Sequence, residues 1–292
     1  MFASSRNYDG ACQCASRRLL QLWQYPNDNT GVPLIAPRPS PTVVVSIVSH
    51  AHGVQIQALL VALARLNSPV VSRVVLTLNV PEAEPQRPAG GFPFALDLVR
   101  NAVPIGFGAN HNQALASAQE AFVCVLNPDV VLGDDPFVPL VNALAGHAAG
   151  CAYPIQVNES GRVQDSEREL PSPWALLRRR LLGRTEQRVD WVNAACLLLP
   201  TSVWRELAGF DERYFMYCED VDFCLRLRLA GGALIKAPVE IVHAGQRASG
   251  RRLDHLAWHV RSLFRLWMSP VYRQAQQLLT GAPGIKGTIG TP

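Results

Sequence analysis

The sequence predicts an α/β fold, in which a doubly wound, mixed but mostly parallel sheet is flanked by helices. Short apolar runs alternate with segments of helical period, as in β-α-β units. The runs at residues 42–48 and 122–126 are almost continuously apolar, which is typical of parallel strands buried on both faces. Polar residues follow both runs, at the strand ends where open α/β sheets bind ligands.

The first half of the chain alternates between strand-like and helix-like segments. Residues 55–66 carry apolar side chains three or four positions apart, which is the period of a helix packed on a sheet. Residues 81–93 are rich in proline, glycine and glutamate and indicate a surface loop. In chain order we predict a strand at 42–48, a helix at 55–66, strands at 70–78 and 96–100, a helix at 111–119 and a strand at 122–126.

The second half continues the alternation after a polar interruption. Residues 156–189 lack a regular period and include a basic stretch at 174–184. Thr201 is placed to cap a helix that stops before Gly209. The other predicted elements are a helix at 136–144, strands at 150–154 and 191–199, helices at 201–207 and 219–230, and a strand at 233–236. We expect right-handed crossovers between the parallel strands.

The chain has 292 residues and a formal charge of +4, which fits a globular protein of ordinary size and argues against a dedicated nucleic-acid binder. No run of eighteen apolar residues and no secretory signal stand out, and the seven cysteines lack metal-ligand spacing. We therefore expect a cytoplasmic protein. The predicted organisation is a poorly ordered leader at 1–40, a main domain at 41–245, an amphipathic helical segment at 246–280 and a disordered tail at 281–292.

The sequence Asn127-Pro-Asp129 follows the predicted strand at 122–126. A hard cation such as Mg²⁺ or Mn²⁺ takes oxygen ligands and is often held by one or two protein carboxylates together with substrate phosphates. Asp129 is therefore a candidate cation ligand, and a plain turn is the alternative, because asparagine, proline and aspartate all favour turns. His243 follows an apolar strand-like run and is either another ligand or a structural histidine.

A glycine- and asparagine-rich loop at residues 106–112 precedes the same strand. Glycine lets the backbone approach a ligand, and asparagine hydrogen-bonds sugars or caps a helix. The helix that follows presents its N-terminus to anions. Gly106 and Asn110 are therefore candidate ligand contacts, with a tight turn as the alternative.

An acidic cluster, formed by Glu219, Asp220 and Asp222, begins a predicted helix. The helix dipole favours acids in a first turn, which is one explanation of the cluster. Three carboxylates within four residues also repel one another, so that a cation or a catalytic role is the other explanation. The aromatic run at residues 214–217 forms either the wall of a sugar-binding cleft or part of the core.

In order and spacing, these motifs resemble the family 2 glycosyltransferases, especially their bacterial rhamnosyltransferase-like branch, over about residues 42–245. The most specific match is the motif at 209–222, Gly-Phe-Asp-Glu-Arg-Tyr-Phe-Met-Tyr-Cys-Glu-Asp-Val-Asp. The other matching pieces are the strand at 43–50, Asn101 with the loop at 106–112, Asn127-Pro-Asp129, residues 191–195 and His243.

The resemblance implies a GT-A fold with a Rossmann-like nucleotide-binding half, and an enzyme of cell-surface polysaccharide synthesis. Such an enzyme transfers a sugar, with rhamnose as the family-level expectation, from a nucleotide-sugar donor to a saccharide or lipid-linked acceptor with inversion. The implied roles are Asp129 and His243 as ligands of Mg²⁺ or Mn²⁺, and Asp220 as the general base. The implied donor contacts are Ser49, His50, Asn79, Gly106, Asn110 and Asn127, and the implied acceptor contacts are Trp191, Asn193 and Glu219.

One departure from the family pattern follows the second predicted strand. The family usually carries Asp-Asn-x-Ser there, whereas this chain has Thr77-Leu-Asn-Val-Pro81, so that Asn79 is kept and the acid that helps recognise the nucleotide is not. A catalytically degenerate domain that binds carbohydrate or acts as a scaffold is therefore one alternative. A nucleotidyltransferase is another, although residues 49–53 lack the basic glycine-rich signature expected of that class.

The C-terminal segment combines arginines with apolar residues near helical spacing, at positions 256, 260, 263, 264 and 267. One interpretation is a helix that lies on an anionic membrane, which would place the protein peripherally on the inner face of the cytoplasmic membrane. The other is an amphipathic helix packed on the main domain with solvated arginines.

Overall fold

The computed structural model describes residues 42–173, 188–244 and 253–281. Its strands are β1 (Val43–Ser49), β2 (Val71–Leu78), β3 (Ala95–Arg100), β4 (Phe122–Leu126), β5 (Val130–Val131), β6 (Gly150–Val157), β7 (Glu167–Arg168), β8 (Trp191–Val192), β9 (Cys196–Pro200) and β10 (Ala233–His243). Its helices are α1 (Gly53–Leu66), α2 (Phe107–Leu115), α3 (Phe137–Ala143), α4 (Thr201–Glu206), α5 (Glu219–Leu229), α6 (Leu253–Met268) and α7 (Pro270–Gly281). The predicted leader at 1–40, the basic stretch at 174–184 and the tail beyond residue 281 lie outside the described residues.

Eight strands form one mixed sheet in the order β3-β2-β1-β4-β9-β6-β10-β5. Strand β1 pairs in parallel with β2 and β4, and β2 pairs in parallel with β3. Strand β9 runs antiparallel between β4 and β6, and β5 runs antiparallel to β10. Strands β7 and β8 pair separately. The predicted doubly wound, mostly parallel sheet is confirmed.

The sheet is buried on both faces, because consecutive residues of its central strands enter different hydrophobic clusters. Val44 of β1 belongs to a cluster with α2, α5 and the C-terminal helices, whereas Val43 and Val45 belong to a cluster with α1 and α3. All seven residues of β1 are buried, which explains its continuous apolar sequence.

The helix predicted at 111–119 is misplaced, since α2 begins at Phe107 and ends at Leu115. Its first turn contains the glycine- and asparagine-rich loop, which has no apolar period and therefore does not look helical in sequence. Gly106 stands at the N-cap position in an extended conformation, and the Phe107 N–H donates to the Phe215 carbonyl at 2.9 Å. A tertiary contact thus determines where this helix starts.

Two further predictions are corrected in the second half of the sheet. The strand predicted at 191–199 is two strands, β8 and β9, which are separated by a turn at Asn193–Ala195. Thr201 does not cap α4: it is the first helical residue, and its hydroxyl donates to the Glu120 carbonyl at 2.6 Å. Strand β10 also continues past the predicted end at 236 to His243, because it pairs with β6 on one side and β5 on the other.

Candidate active site

A cleft of about 950 Å³ opens where several strands of the sheet end. Asn127 and Asp129 follow β4, Asn193 lies in the turn before the antiparallel β9, and His243 is the last residue of β10. Open α/β sheets bind ligands at this edge, so the topology brings residues from distant parts of the sequence to one place. The residues that line the cleft include Asn127, Asp129, Arg168, Asn193, Tyr217 and His243.

Asp129 and His243 form a pair in this cleft. The Oδ1 atom of Asp129 lies 3.4 Å from Nε2 of His243. The backbone holds the two residues together, since His243 pairs with Val130 across β10 and β5 and the Ala244 N–H donates to the Asp129 carbonyl. Burial raises the pKa of Asp129, but the hydrogen bond and charge that His243 supplies when its ring is protonated, with smaller contributions from the backbone of Asp129 and from His52, bring the pKa below its ordinary value.

Gln156 in β6 orients the ring of His243. The Ala195 N–H donates to Asn193 Oδ1, which identifies that atom as the oxygen, and the Asn193 and Gln156 amides then pair reciprocally. Gln156 Oε1 is therefore the atom 3.2 Å from His243 Nδ1, and since an amide oxygen only accepts, Nδ1 is the donor. In the neutral ring, Nε2 then carries the lone pair and faces Asp129.

This arrangement fits a divalent cation. A carboxylate oxygen and an imidazole nitrogen with a free lone pair face each other at the cleft, and the buried Oδ1 of Asn127 nearby has no hydrogen-bond partner. Within the described ranges, no group of three or more histidine, cysteine, aspartate or glutamate side chains is arranged to hold a metal. A cation here would thus have two charged or imidazole ligands from the protein and complete its shell with phosphate oxygens and water, as Mg²⁺ commonly does.

Asp220 lies at the start of α5, after a sharp turn in which Tyr217 and Cys218 both adopt positive φ, at 70° and 65°. Its half-buried carboxylate accepts the Val221 N–H at 2.8 Å, and the Ala194 N–H and the Arg168 guanidinium lie close enough to stabilise its charge. Burial raises the pKa of Asp220 above its ordinary value of 3.8, although these donors and the Arg168 charge oppose the shift.

The turn at residues 193–195 connects Asp220 to the Asp129–His243 pair. The Ala194 N–H faces Asp220, the Ala195 carbonyl accepts from the Asn127 N–H at 2.8 Å, and the Asn193 amide reaches His243 through Gln156. The two acids singled out in the sequence therefore converge on the same short segment at the edge of the sheet.

The acidic cluster does not act as a unit. Asp222 is buried and forms a 2.7 Å ion pair with Arg226, whose guanidinium also donates to the Leu207 and Gly209 carbonyls. The first turn of α5 therefore contains one structural acid. Glu219 is also buried, its Oε2 has no partner, and burial followed by the charge of Asp220 raises its pKa well above the ordinary value.

Three of the predicted donor contacts are buried in the protein. Asn110 is fully buried and donates to the Ile105 and Gly106 carbonyls, while its own oxygen accepts from Asn101. Asn79 is joined to the same network, and Ser49 is fully buried at the end of β1. These side chains shape the loops around the strand ends in this conformation, whereas His50 is exposed there.

Gly106 and Trp191 also have clear packing partners. A Cβ at Gly106 would lie 2.7 Å from the Phe215 carbonyl oxygen, so that glycine permits the close contact between these two backbones. Trp191 is buried, donates from its indole to the Glu169 carbonyl, and lies under the Arg168 guanidinium at 5.2 Å. Trp191 thus positions Arg168, a cleft residue.

Sequence reasoning missed Gln156 and Arg168. Gln156 carried a usable signal, because it is a fully buried polar side chain in an otherwise apolar strand. Arg168 carried none, since the site residues that it meets, Trp191 and Asp220, are distant in sequence. The site roles of the predicted residues remain predictions at this point, and the geometry shows which of them lie together.

Sequence comparison relates the chain to two rhamnosyltransferases. It is 29% identical over 252 residues to the N-acetylglucosaminyl-diphospho-decaprenol L-rhamnosyltransferase of Mycobacterium tuberculosis, covering 75% of this chain and 82% of that protein. It is 27% identical over 247 residues to the rhamnosyltransferase WbbL of Escherichia coli, covering 76% of this chain and 91% of that protein. No family model matches the chain.

Solved structures share the architecture. The mannosyltransferase PcManGT of Pyrobaculum calidifontis, in complex with GDP-Man and Mn²⁺, has a TM-score of 0.54 at 17% identity over 95% of this chain and 86% of its own. GalNAc-T7 with UDP, GalNAc and Mn²⁺ has a TM-score of 0.57 at 15% identity over 84% of this chain, which spans 52% of that protein. Identities this low establish a common fold only.

Proposed function

We propose that this chain is a family 2, rhamnosyltransferase-like glycosyltransferase of the GT-A fold, which transfers a sugar from a nucleoside diphosphate to a lipid-linked saccharide with inversion at the anomeric carbon. L-rhamnose is the first candidate sugar, because both similar proteins are named rhamnosyltransferases and one acts on a diphospho-decaprenol substrate. The observation that carries the proposal is the convergence of Asp220 and the Asp129–His243 pair on the turn at 193–195.

Asp220 is the proposed general base. The acceptor hydroxyl loses its proton to the Asp220 carboxylate while its oxygen forms the bond to the anomeric carbon on the face opposite the leaving group. The bond from that carbon to the diphosphate oxygen breaks in the same step, so that the electron pair leaves with the nucleoside diphosphate. The Val221 and Ala194 amides hold the carboxylate in place for this reaction.

Asp129 and His243 serve the leaving group. They would hold Mg²⁺ or Mn²⁺, and the cation, when bound, stabilises the negative charge that develops on the diphosphate. Asn127 lies beside them with its backbone fixed to Ala195 and its Oδ1 free of partners, so it is placed to contact either the cation shell or the donor. His50, exposed at the end of β1, is the proposed contact to the nucleotide.

Asn193 and Arg168 are the proposed acceptor contacts, whereas Glu219, the other predicted contact, is buried in this conformation. Asn193 and Arg168 line the cleft next to the base, and Glu219 precedes it in the first turn of α5. Trp191 supports the acceptor side by packing under Arg168. The acid missing after β2 is replaced by Leu78, which is buried in the core, so we propose that the nucleotide is bound through other groups.

The decisive experiment measures nucleoside-diphosphate release with a lipid-linked acceptor, a panel of nucleotide sugars, and Mg²⁺ or Mn²⁺. We expect release by the wild type and a loss of about 10²- to 10⁴-fold for Asp220→Asn, because the acceptor then keeps its proton. Donor binding by Asp220→Asn, read as a rise in melting temperature with each nucleotide sugar, is expected to match the wild type.

Asp134→Asn is the matched control, since Asp134 is an exposed acid outside the cleft, and it is expected to keep full activity. Binding of a donor without any release by the wild type would favour the degenerate, binding-only alternative. Equal activity of wild type and Asp220→Asn would rule out Asp220 as the base.

A further inference from the structure

The outward face of α6 is a stripe of large apolar side chains. Leu256, Val260, Phe264 and Met268 are 54%, 57%, 64% and 67% exposed. Their spacing of four residues places them one above another along the helix. Single exposed apolar residues are ordinary on protein surfaces, but a contiguous row of four indicates an interaction site.

The opposite face of the same helix is anchored to the domain. Leu266 is fully buried, the Ser262 hydroxyl donates to the Met216 carbonyl at 2.8 Å, and the Trp267 indole donates to the Pro171 carbonyl at 2.6 Å. The stripe is therefore held rigidly outward, and it does not need to fold when it meets a partner.

The charge on α6 beyond its first turn is basic, since Asp254, two residues before Leu256, is the last acid in the sequence. Residues 255–292 contain no aspartate or glutamate. Arg261 and Arg265, next to the stripe on α6, border a recess of about 390 Å³ together with Arg213. An apolar row flanked by arginines matches an interfacial helix, whose apolar side chains enter the acyl region while its cations meet anionic headgroups.

The helix also contacts the candidate active site. The Tyr217 hydroxyl lies 2.8 Å from His255 Nδ1, and the rings of Phe215 and Trp258 are 5.2 Å apart. Tyr217 lines the cleft and is followed within three residues by Asp220. A surface that meets the exposed face of α6 is thus separated from the cleft by a single helix and the aromatic segment at 214–217.

We propose that the exposed face of α6 docks the protein on an anionic lipid bilayer. No helix within the described ranges is long and apolar enough to cross a bilayer, so docking is peripheral. The inference deepens the proposed function, because a docked α6 would bring the cleft to a lipid-linked acceptor. Its physical basis, however, is the stripe and its arginines, and the docking can be tested without any transfer reaction.

The test is sedimentation of the full chain with vesicles of phosphatidylcholine alone or of phosphatidylcholine mixed with phosphatidylglycerol. We expect strong binding to the anionic vesicles only. Val260→Ser combined with Phe264→Ser should weaken binding at least about tenfold, because two large apolar side chains no longer leave water. Arg261→Gln combined with Arg265→Gln should weaken it by about tenfold or more and reduce its sensitivity to salt.

Val54→Ser combined with Val61→Ser is the control, since these apolar side chains are exposed on α1, at 87% and 54%, and it should bind like the wild type. Unchanged binding by the α6 variants would overturn the proposal. The proposal would also be overturned if light scattering showed that the wild type is a dimer and the Val260/Phe264 variant a monomer. The stripe would then be the contact with a second copy of the chain. Release of nucleoside diphosphate with a water-soluble acceptor should be the same in the wild type and in all these variants. If none of these proteins released diphosphate, the result would count against the proposed function and not against docking.

Discussion

Gln156 connects the Asn193 amide to the ring of His243 and fixes the orientation of that ring. Its Oε1 receives both the Asn193 amide and the His243 Nδ1–H, which leaves Nε2 to face Asp129. Partners of this kind fix the orientation and tautomer of a metal-binding imidazole. Gln156 would thus contribute to cation binding without touching the cation.

We therefore expect Gln156→Leu to weaken Mn²⁺ binding by about 10- to 100-fold. Binding is measured directly by electron paramagnetic resonance of free Mn²⁺, so the result does not depend on turnover. Gln156→Glu should recover much of the affinity, because a carboxylate also accepts from Nδ1. Gln113→Leu, an exposed site on α2, is the control, and wild-type affinity in Gln156→Leu would refute the positioning role.

Asp220 determines the expected acid limb of the activity profile. Burial raises its pKa above 3.8, and a protonated carboxyl cannot accept the acceptor proton. The active form is therefore present above the raised pKa and is lost as the pH falls through it. We expect kcat/KM to fall on the acid side at a pH above that of an ordinary aspartate.

The profile is measured with the cation at saturation, so that loss of the metal does not imitate the titration of the base. Arg168→Gln should move the acid limb to higher pH, because the Arg168 charge opposes the shift. An acid limb that does not move would mean that another group limits the rate.

At the scale of elements, two of the sequence motifs pack against each other. The loop at 106–112 packs against the segment at 209–215: the Asn112 amide pairs with the backbone N–H and carbonyl of Phe210, and Gly106 touches Phe215. This packing contact fixes the aromatic segment at 214–217 and, through it, the first turn of α5. Packing therefore explains much of the composition of the glycine- and asparagine-rich loop.

Gly209→Ala tests the packing contact between these two segments. Gly209 has φ of 64°, and a Cβ there would overlap the side-chain oxygen of Asn112. We expect the free energy of unfolding to fall by about 1–3 kcal/mol, because backbone strain and steric overlap act together. Denaturant unfolding measures it. Gly133→Ala, where a Cβ meets nothing within 4 Å, should be neutral, and an equal effect in both variants would contradict the argument.

How far the sequence predicts each element depends on where the determining contacts lie. The strands β1 and β4 were predicted within a residue, because continuous β-branched runs reflect burial on both faces. The start of α2 was not predicted, because it depends on a hydrogen bond to Phe215, more than a hundred residues away. Likewise, Asp129 and Asp220 could be selected as strand-end and helix-start acids, but the Ala194 and Gln156 contacts that connect them could not.

At the scale of the whole molecule, the C-terminal helices are part of the fold. Leu266, Tyr272 and Ala275 are buried in the cluster that also contains α5 and one face of the sheet. One face of α6 is thus that of a packed amphipathic helix, and the membrane surface remains a proposal for the opposite face. The packed face stabilises the first turn that carries Asp220, and the outward face remains for a partner.

A matched pair of leucines on α6 separates these two roles. Leu266→Ala should lower the free energy of unfolding by about 2–5 kcal/mol, because it opens a cavity in the core, as large-to-small substitutions do. Leu256→Ala removes the same atoms from an exposed position and should change stability by no more than about 0.5 kcal/mol. Denaturant unfolding gives the first comparison, and vesicle sedimentation of Leu256→Ala, which should bind more weakly than the wild type, gives the second. If Leu266→Ala were as stable as the wild type, α6 would not belong to the core, and the close coupling between a docked helix and the cleft would be lost.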